Sequence, residues 1–339
     1  MRSMTRRKFL SIAASATAAA SIPAAARILM AQTPPAAAKY GGPTPNSQFY
    51  ITSYGSTPRL DASAWALKLH GLVNQPLELS YKGVKELPPI KELLTYECIS
   101  NTPDGSAISS AVFTGTRLKP LLERAGVRPK AVYAAMRAAD GYYTGVPIDE
   151  IMSGDTFLLY KMNGVPLPPV HGYPVRIFIP GKYGMKQPKW ITDIQFVDQK
   201  FTGYWEARGW SNEAWRKVNS GFFYPQAEGG VFSFFSQTPA AKVSGAPFDI
   251  WGWAFAGKSG IKRVQISTDG GSRWHDATLV ENTSPNTWTV WKYNFAPPKP
   301  ASYALRVRAT DGNGAAQPPE SAQSGSGMDG QAQMTLEVS

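Results

Sequence analysis

The chain has 339 residues, 43% of them apolar, with 10 Trp, 15 Tyr, 15 Phe, three His, one Cys and a formal net charge of +11. At roughly 100–200 residues per domain this length suits two domains, and the apolar content supports a packed core, which excludes a disordered, coiled-coil or collagen-like chain. One Cys excludes an intramolecular disulfide framework, an iron–sulfur cluster, a Cys-rich zinc site and covalent c-type haem, and three scattered His argue against an all-His metal site.

Residues 1–31 carry Arg2, Arg6, Arg7, Lys8 and Arg27 and no acid. Thr5-Arg6-Arg7-Lys8-Phe9-Leu10 reads as a twin-arginine export signal. The run from Leu10 to Ile22 that follows is too short and too weakly apolar to span a membrane. Small residues place the cleavage site after Ala26 or after Ala31. A folded, Tat-exported, periplasmic protein is expected. No later segment reaches the roughly 18 apolar residues that a span needs. Residues 32–45 are rich in Pro, Ala and Gly and read as a linker.

Residues 46–225 mix short strand patterns with few helical ones, which predicts an α+β domain. Trp65–His70 and Val175–Pro180 read as strands, with His70 structural, and Leu118–Ala125 as a short helix with Pro120 in its first turn. From 32 to 225 there are 21 basic and 15 acidic residues, and no acid between Asp155 and Asp193, a window that holds Lys161, Arg176, Lys182, Lys186 and Lys189. A basic stretch is ordinarily a solvated face. Here Gly, Pro and aromatic residues interleave it, which suits a pocket for an anionic ligand better than a tail for nucleic acid.

Cys98 lies in Tyr96-Glu97-Cys98-Ile99-Ser100-Asn101. A lone Cys is most often a small buried hydrophobe. In an exported protein a free thiol is open to oxidation, which favours a protected or ligated sulfur. A thiolate is a soft ligand for a transition metal, but one thiolate cannot hold the metal, so a cofactor would supply the remaining ligands. Further on, His171-Gly172-Tyr173-Pro174-Val175-Arg176 runs into Pro180-Gly181-Lys182-Tyr183-Gly184-Met185-Lys186-Gln187-Pro188-Lys189-Trp190. A strand entering a Gly-containing loop with three Lys is expected to cradle a phosphate with its backbone N–H groups, Arg and Lys. Tyr142, Tyr143 and Thr144 carry no motif that assigns them a role.

From Val231 onward, short alternating runs at Phe248–Ala254, Ile261–Ser267, Trp288–Tyr293 and Tyr303–Ala309 alternate with turns such as Thr268-Asp269-Gly270-Gly271. About seven strands in some 100 residues predict an immunoglobulin-like β-sandwich over 231–339. From 226 on, nine basic and nine acidic residues cancel. Packing or dimerisation is the expected role, with its Trp residues in the core.

Several of these segments, in order, resemble the sulfite oxidase family. Tyr96–Asn101 is similar to the segment whose Cys ligates molybdenum. His171–Arg176 with Pro180–Gly184 and Lys189-Trp190 resembles the molybdopterin-binding stretch, and Thr44–Tyr50 the entry to the same domain. Ser267–Gly271 and Trp274 resemble the family's dimerisation domain. The resemblance implies a sulfite-oxidase-like molybdopterin-binding domain followed by the sandwich, with a single molybdenum–molybdopterin as cofactor. Cys98 would be the thiolate on the metal, with His171, Arg176, Gln187 and Lys189 holding the pterin and its phosphate. Asn46, Phe49 and Tyr50 would line its other side. No haem motif is present, so a separate electron partner is implied, a c-type cytochrome or a quinol protein. The C-terminal module implies a homodimer.

Sulfite-oxidising members present two arginines and a tyrosine to the dianion. In this chain the matching positions carry Thr52, Pro103 and Trp210, the last in Trp205-Glu206-Ala207-Arg208-Gly209-Trp210. Arg208, Lys182 and Arg59 are the cations left to compensate. The expected activity is therefore oxygen-atom transfer to or from a small molecule less charged than sulfite, such as a sulfoxide or an aromatic compound, with Cys98 and Trp210, which stands in the tyrosine's place, as the catalytic residues. A sulfite dehydrogenase with a rearranged anion site, and a non-catalytic carrier that kept the fold, are the alternatives.

Overall fold

The computed structural model describes residues 40–226, 240–244, 247–280, 284–322 and 325–339. The expected export signal, most of the expected linker and the first residues of the expected sandwich lie outside them. In chain order the first part holds β1 (Ala66–Gly71), β2 (Leu77–Ser80), α1 (Tyr81–Glu86), β3 (Pro89–Glu97), β4 (Ile108–Arg117), α2 (Lys119–Ala125) and β5 (Tyr133–Ala138). It continues through β6 (Tyr143–Pro147), α3 (Ile148–Ile151), β7 (Phe157–Met162), β8 (Val165–Pro166), β9 (Arg176–Phe178) and β10 (Ile191–Val197). The second part holds β11 (Asn219–Tyr224), β12 (Ala240–Val243), β13 (Phe248–Phe255), β14 (Ile261–Ser267) and β15 (His275–Asp276). It ends with β16 (Thr278–Leu279), β17 (Thr289–Phe295), β18 (Ala301–Asp311) and β19 (Ala332–Val338).

Strand alternation sets the first part. In β1, Leu67 and Leu69 are buried while Lys68 is exposed, as a strand with one face on a core requires. One sheet runs β2-β1-β10-β5-β6, and a second runs β3-β4-β7-β8 with β9 on β7. The β1–β10 pair is parallel and joins residues some 120 positions apart, whereas β10–β5 and β3–β4 are antiparallel. A core of Leu67, Leu69, Leu122, Leu158, Ile177 and Ile194 lies between the sheets. The other face of the second sheet carries Leu94, Tyr96, Phe113, Phe157, Leu159 and Phe178, with Phe49 packed on it. The α2 helix starts after Leu118 with Pro120 in its first turn and ends at Gly126, whose φ of 63° lets its N–H close onto Leu122 O and Glu123 O. Among the described residues the α-helices are only six, seven and four residues long, so the α share of the α+β expectation is small; Gly- and Pro-free runs such as 90–102 and 189–202 form the strands β3 and β10 instead.

The second part has two facing sheets, β11-β13-β17-β16 and β12-β19-β18-β14-β15. They share a core of Ile250, Val264, Ile266, Trp291, Leu305, Val307, Met334 and Leu336. The Ser267–Gly271 turn is tied by Ser267 Oγ, which accepts from Gly271 N at 2.8 Å. One feature departs from expectation. The chain enters this part earlier than 231, because β11 pairs antiparallel with β13, Ser220 opposite Ala254. Trp251, Trp253, Trp288 and Trp291 are buried as expected, with Trp291 in the core between the two sheets and the other three in a second buried cluster that takes in Ile108 of the first part. Period-2 alternation shows that a strand has two faces but not which neighbour covers the outer one.

Candidate active site

Cys98 follows the last residue of β3, and its N–H donates to Ala107 O at 2.9 Å. This puts the half-buried thiol at the start of the loop that closes the β3–β4 hairpin, with Sγ 3.1 Å from Ser100 Oγ. It faces a cavity of about 220 Å³. All the residues assigned from sequence line that cavity except Asn46. Thr52, Ser53, Tyr54, Asp140, Tyr142, Met185, Trp190 and Trp205 also line it. Pro103, Arg59, Lys182 and Arg208 do not.

The cavity has two chemically distinct walls. One is cationic. Arg176, at the start of β9, is buried and lies 3.9 Å over the Tyr96 ring, with Nη1 donating to His171 O at 3.1 Å. Its Nε is buried without a partner. Lys189 donates to Val170 O at 3.0 Å and to Ser53 Oγ at 3.2 Å. Burial first, then the Arg176 charge, lowers its pKa to about 8. His171 Nε2 sits 2.9 Å from Asn46 O. A carbonyl only accepts, so Nε2 carries the proton there, and burial, more than the nearby cations, lowers the imidazole pKa. Gly172 makes the wall possible. Its φ is 111°, and a Cβ there would stand 3.0 Å from the Arg176 Cβ and 3.2 Å from the Lys189 Cβ.

The other wall is apolar. Ile99, next to Cys98, packs with Met185, Tyr183 and Ala214, and Trp205 and Trp210 rest on this cluster. Tyr142 Oη donates to Met185 O at 2.7 Å. Tyr54, 41% exposed, stacks edge-on to Tyr204 at 4.4 Å and leans on Tyr142 at 5.9 Å, closing the rim in aromatic rings. Tyr50 lies on the cavity floor, stacked on Phe49 at 5.6 Å. Burial and the neighbouring Cys98 hold its phenol well above the ordinary range, so it stays protonated.

Several sequence assignments need correction. The three-Lys loop does not act as one phosphate cradle. Lys182 is fully buried in an ion pair with Glu150 at 2.8 Å and donates to Glu213 O. Lys186 is equally buried against Glu206 and donates to Gly145 O at 2.8 Å. Only Lys189 of the three reaches the cavity. Gln187 lines it but spends both ends of its amide on backbone, accepting from Ile179 N at 3.1 Å and donating to Lys182 O at 2.7 Å. Asn46 turns its amide to Asn163 and Met162 O and reaches the site only through the carbonyl that orients His171.

The pairing pattern carries the electrostatics. Lys182, Lys186 and Arg216 are each neutralised by a carboxylate, whereas Arg176 and Lys189 form no salt bridge among the described residues. Two desolvated cations without a salt-bridge partner, one with an orphaned N–H and the other with only the more distant Asp140 carboxylate acting on it, are costly in the chain alone and suit an anionic group such as a phosphate. Cys98 has no complete protein ligand set around it, since no group of three or more His, Cys, Asp or Glu that could hold a metal occurs among the described residues. A metal at this thiol therefore needs ligands from a cofactor. An anionic, sulfur-bearing pterin satisfies both requirements, so the residues fit molybdopterin.

Comparison with known proteins reaches the same class. The description "Oxidoreductase molybdopterin binding domain" matches residues 54–205, and "Mo-co oxidoreductase dimerisation domain" matches 236–333. The chain belongs to the sulfite oxidase family of molybdopterin-dependent oxidoreductases. It is 33% identical over 175 residues to the uncharacterized oxidoreductase YuiH of Bacillus subtilis, covering 50% of this chain and 86% of that one. It is 28% identical to mouse mitochondrial sulfite oxidase over 297 residues, covering 77% of this chain and 54% of that protein. The chain thus spans only about half of that relative's length. In fold it is similar to the sulfane dehydrogenase SoxCD of Paracoccus pantotrophus, with a TM-score of 0.73 at 21% identity, covering 88% of this chain and 83% of that one. No helix among the described residues is long and apolar enough to cross a membrane.

Proposed function

We propose that the chain is a periplasmic, Tat-exported molybdoenzyme that transfers an oxygen atom to or from a substrate less charged than sulfite. The observation that carries this reading is the division of the cavity. Its two unpaired cations, Arg176 and Lys189, lie on one wall, while Ile99, Met185, Trp205 and Trp210 form the wall beside Cys98. In this reading Cys98 is the protein ligand to molybdenum. Arg176 and Lys189 bind the pterin phosphate, and His171 is held for the cofactor by the Asn46 carbonyl. Phe49 and Tyr50 support the pterin from the opposite side. The bound molybdenum centre supplies two-electron oxygen-atom-transfer chemistry, while the protein orients the cofactor and shapes the substrate space.

The substrate wall offers rings and a thioether and no cation. Thr52 is at the cavity, Trp210 is part of its wall, and Arg208, Lys182 and Arg59 stay outside it. A dianion entering here would be desolvated without counter-charge, at about 1.5–3 kcal/mol for each missing charged hydrogen bond. A neutral oxide or sulfoxide with an apolar body would meet dispersion contacts instead. Electrons would pass to a separate protein, a c-type cytochrome or a quinol protein, and the chain would work as a homodimer through its C-terminal, immunoglobulin-like module.

Metal analysis and a two-directional assay test this reading. Protein from a cofactor-replete, Tat-competent host is expected to hold near-stoichiometric molybdenum that Cys98→Ser loses. A screen with reduced viologen and with ferricyanide is expected to favour neutral oxides over sulfite. Efficient sulfite oxidation would overturn the substrate assignment, and metal-free protein would overturn the enzyme.

A further inference from the structure

The loop that carries Cys98 is held largely from outside its own sheet. On the last turn of β3, Thr95 N–H donates to Asn286 O at 2.9 Å, and Thr95 Oγ1 accepts from Trp288 N at 2.9 Å. At Glu97, next to the thiol, the buried carboxylate accepts from Asn219 Nδ2 of β11 at 2.8 Å and from Asn101 Nδ2 at 3.1 Å, with Arg216 Nε 3.5 Å away. At the far side of the loop Asp104 Oδ1 accepts from Phe222 N of β11 at 2.7 Å. Where the loop re-enters β4, Ile108 packs into the cluster of Trp251, Trp253 and Trp288.

The sequence of β11 is fitted to this contact. Its register with β13 slips between Phe222 and Tyr224, at the strand position whose N–H turns to Asp104. A bulge re-aims backbone groups in this way. Gly221 is required beside it, because a Cβ there would stand 2.7 Å from Asp104 Oδ1 and 2.8 Å from the Trp253 ring. Asp104 itself adopts φ 56°, the left-handed region that Asp tolerates better than most residues.

We propose that the second module positions the metal-ligand loop: β11 and the Asn286–Trp288 segment clamp residues 95–108 on both sides of Cys98 and so fix the direction of its thiol. Asp104, Asn219 and Trp288 are positioning residues, acting through the loop rather than touching the cofactor. This function of the module is separate from any dimer it forms. The inference rests on the reading of Cys98 as the molybdenum ligand.

Hydrogen exchange followed by mass spectrometry on the full-length protein tests it. Asp104→Ala removes the acceptor for Phe222 N, and Asn219→Ala removes a donor to Glu97. Each is expected to speed exchange of the 97–107 segment about threefold to tenfold, with β1 and β10 unchanged. Asp104→Asn keeps an acceptor and is expected to exchange no faster than the parent. In molybdenum-loaded protein the Mo(V) EPR g-values are expected to shift in Asp104→Ala and to return in Asp104→Asn. Exchange unaltered in both alanine variants, or raised equally in β1 and β10, overturns the clamp, as do g-values that do not move. Molybdenum retained by Cys98→Ser would instead overturn the ligand reading and leave the exchange result standing.

Discussion

Asp104 offers a test in which sign and size both follow from its surroundings. Its carboxylate is turned inward against β11 with one backbone donor, Phe222 N, and no salt bridge among the described residues. Burial raises its pKa from the ordinary 3.8 to about 7, against the opposing pull of that hydrogen bond. A carboxyl raised in the folded state favours folding fully below its unfolded pKa, and this contribution is lost as pH rises through about 7. At about 1.4 kcal/mol per pKa unit the loss has a ceiling of about 4 kcal/mol, and residual solvent contact reduces it to about 1–3 kcal/mol. Asp104→Asn keeps the shape and the acceptor but has no proton to lose. It is expected to melt higher than the parent at pH 8.5, by about 2–12 °C at roughly 2–4 °C per kcal/mol, with a smaller gap at pH 5. Calorimetry at the two pH values measures this directly. A gap that is equal at both, or larger at pH 5, refutes the assignment of a buried, proton-retaining Asp104.

Three further outcomes follow from the cavity and its supports. Arg176→Leu and Lys189→Met each remove one charge-assisted contact and are expected to weaken cofactor retention about 10- to 100-fold, read as molybdenum remaining after gel filtration. Gln187→Ala is expected to lower the melting temperature by leaving Ile179 N without a partner, Lys182 O keeping its bond from Arg216 Nη2, while molybdenum per folded chain stays unchanged; metal loss without destabilisation would count against this. Breaking the buried Lys186–Glu206 pair on one side, in Lys186→Met, is expected to cost about 3–5 kcal/mol, and adding Glu206→Leu to recover much of it. Urea unfolding of the single and double variants checks that cycle.

The parts of the site that were legible in the sequence lie in short, local motifs. Cys98 after a strand, His171 and Arg176 five residues apart, and Phe49-Tyr50 before an irregular loop all reach the cavity. The parts that were misread look the same locally. Lys182, Lys186 and Lys189 occupy one loop, yet Glu150 and Glu206, 32 and 20 residues from their partners, claim the first two. Gln187 and Asn46 sit within site motifs while their amides serve the backbone and neighbouring side chains. Tyr142 had no motif to announce it, and the stretch headed by Trp205 pointed to Trp210 rather than to Trp205 itself, because a shape-defining wall needs only bulk at the right place. In the fold, the strand patterns marked most elements, but the membership of β11 in the second module depends on pairing with β13.

The sequence by itself determined the stock of chemistry: a single thiol, three histidines, an acid-free basic window and alternating strands that must bury one face. Composition and period are counted along the chain, so they need no knowledge of neighbours. Only the tertiary structure decided which cations are left unpaired, which wall of the cavity is apolar, and what holds the Cys98 loop. Charge neutralisation and desolvation act over a few ångströms in space, and the residues concerned are tens to nearly two hundred positions apart in the chain, as Thr95 and Trp288 are.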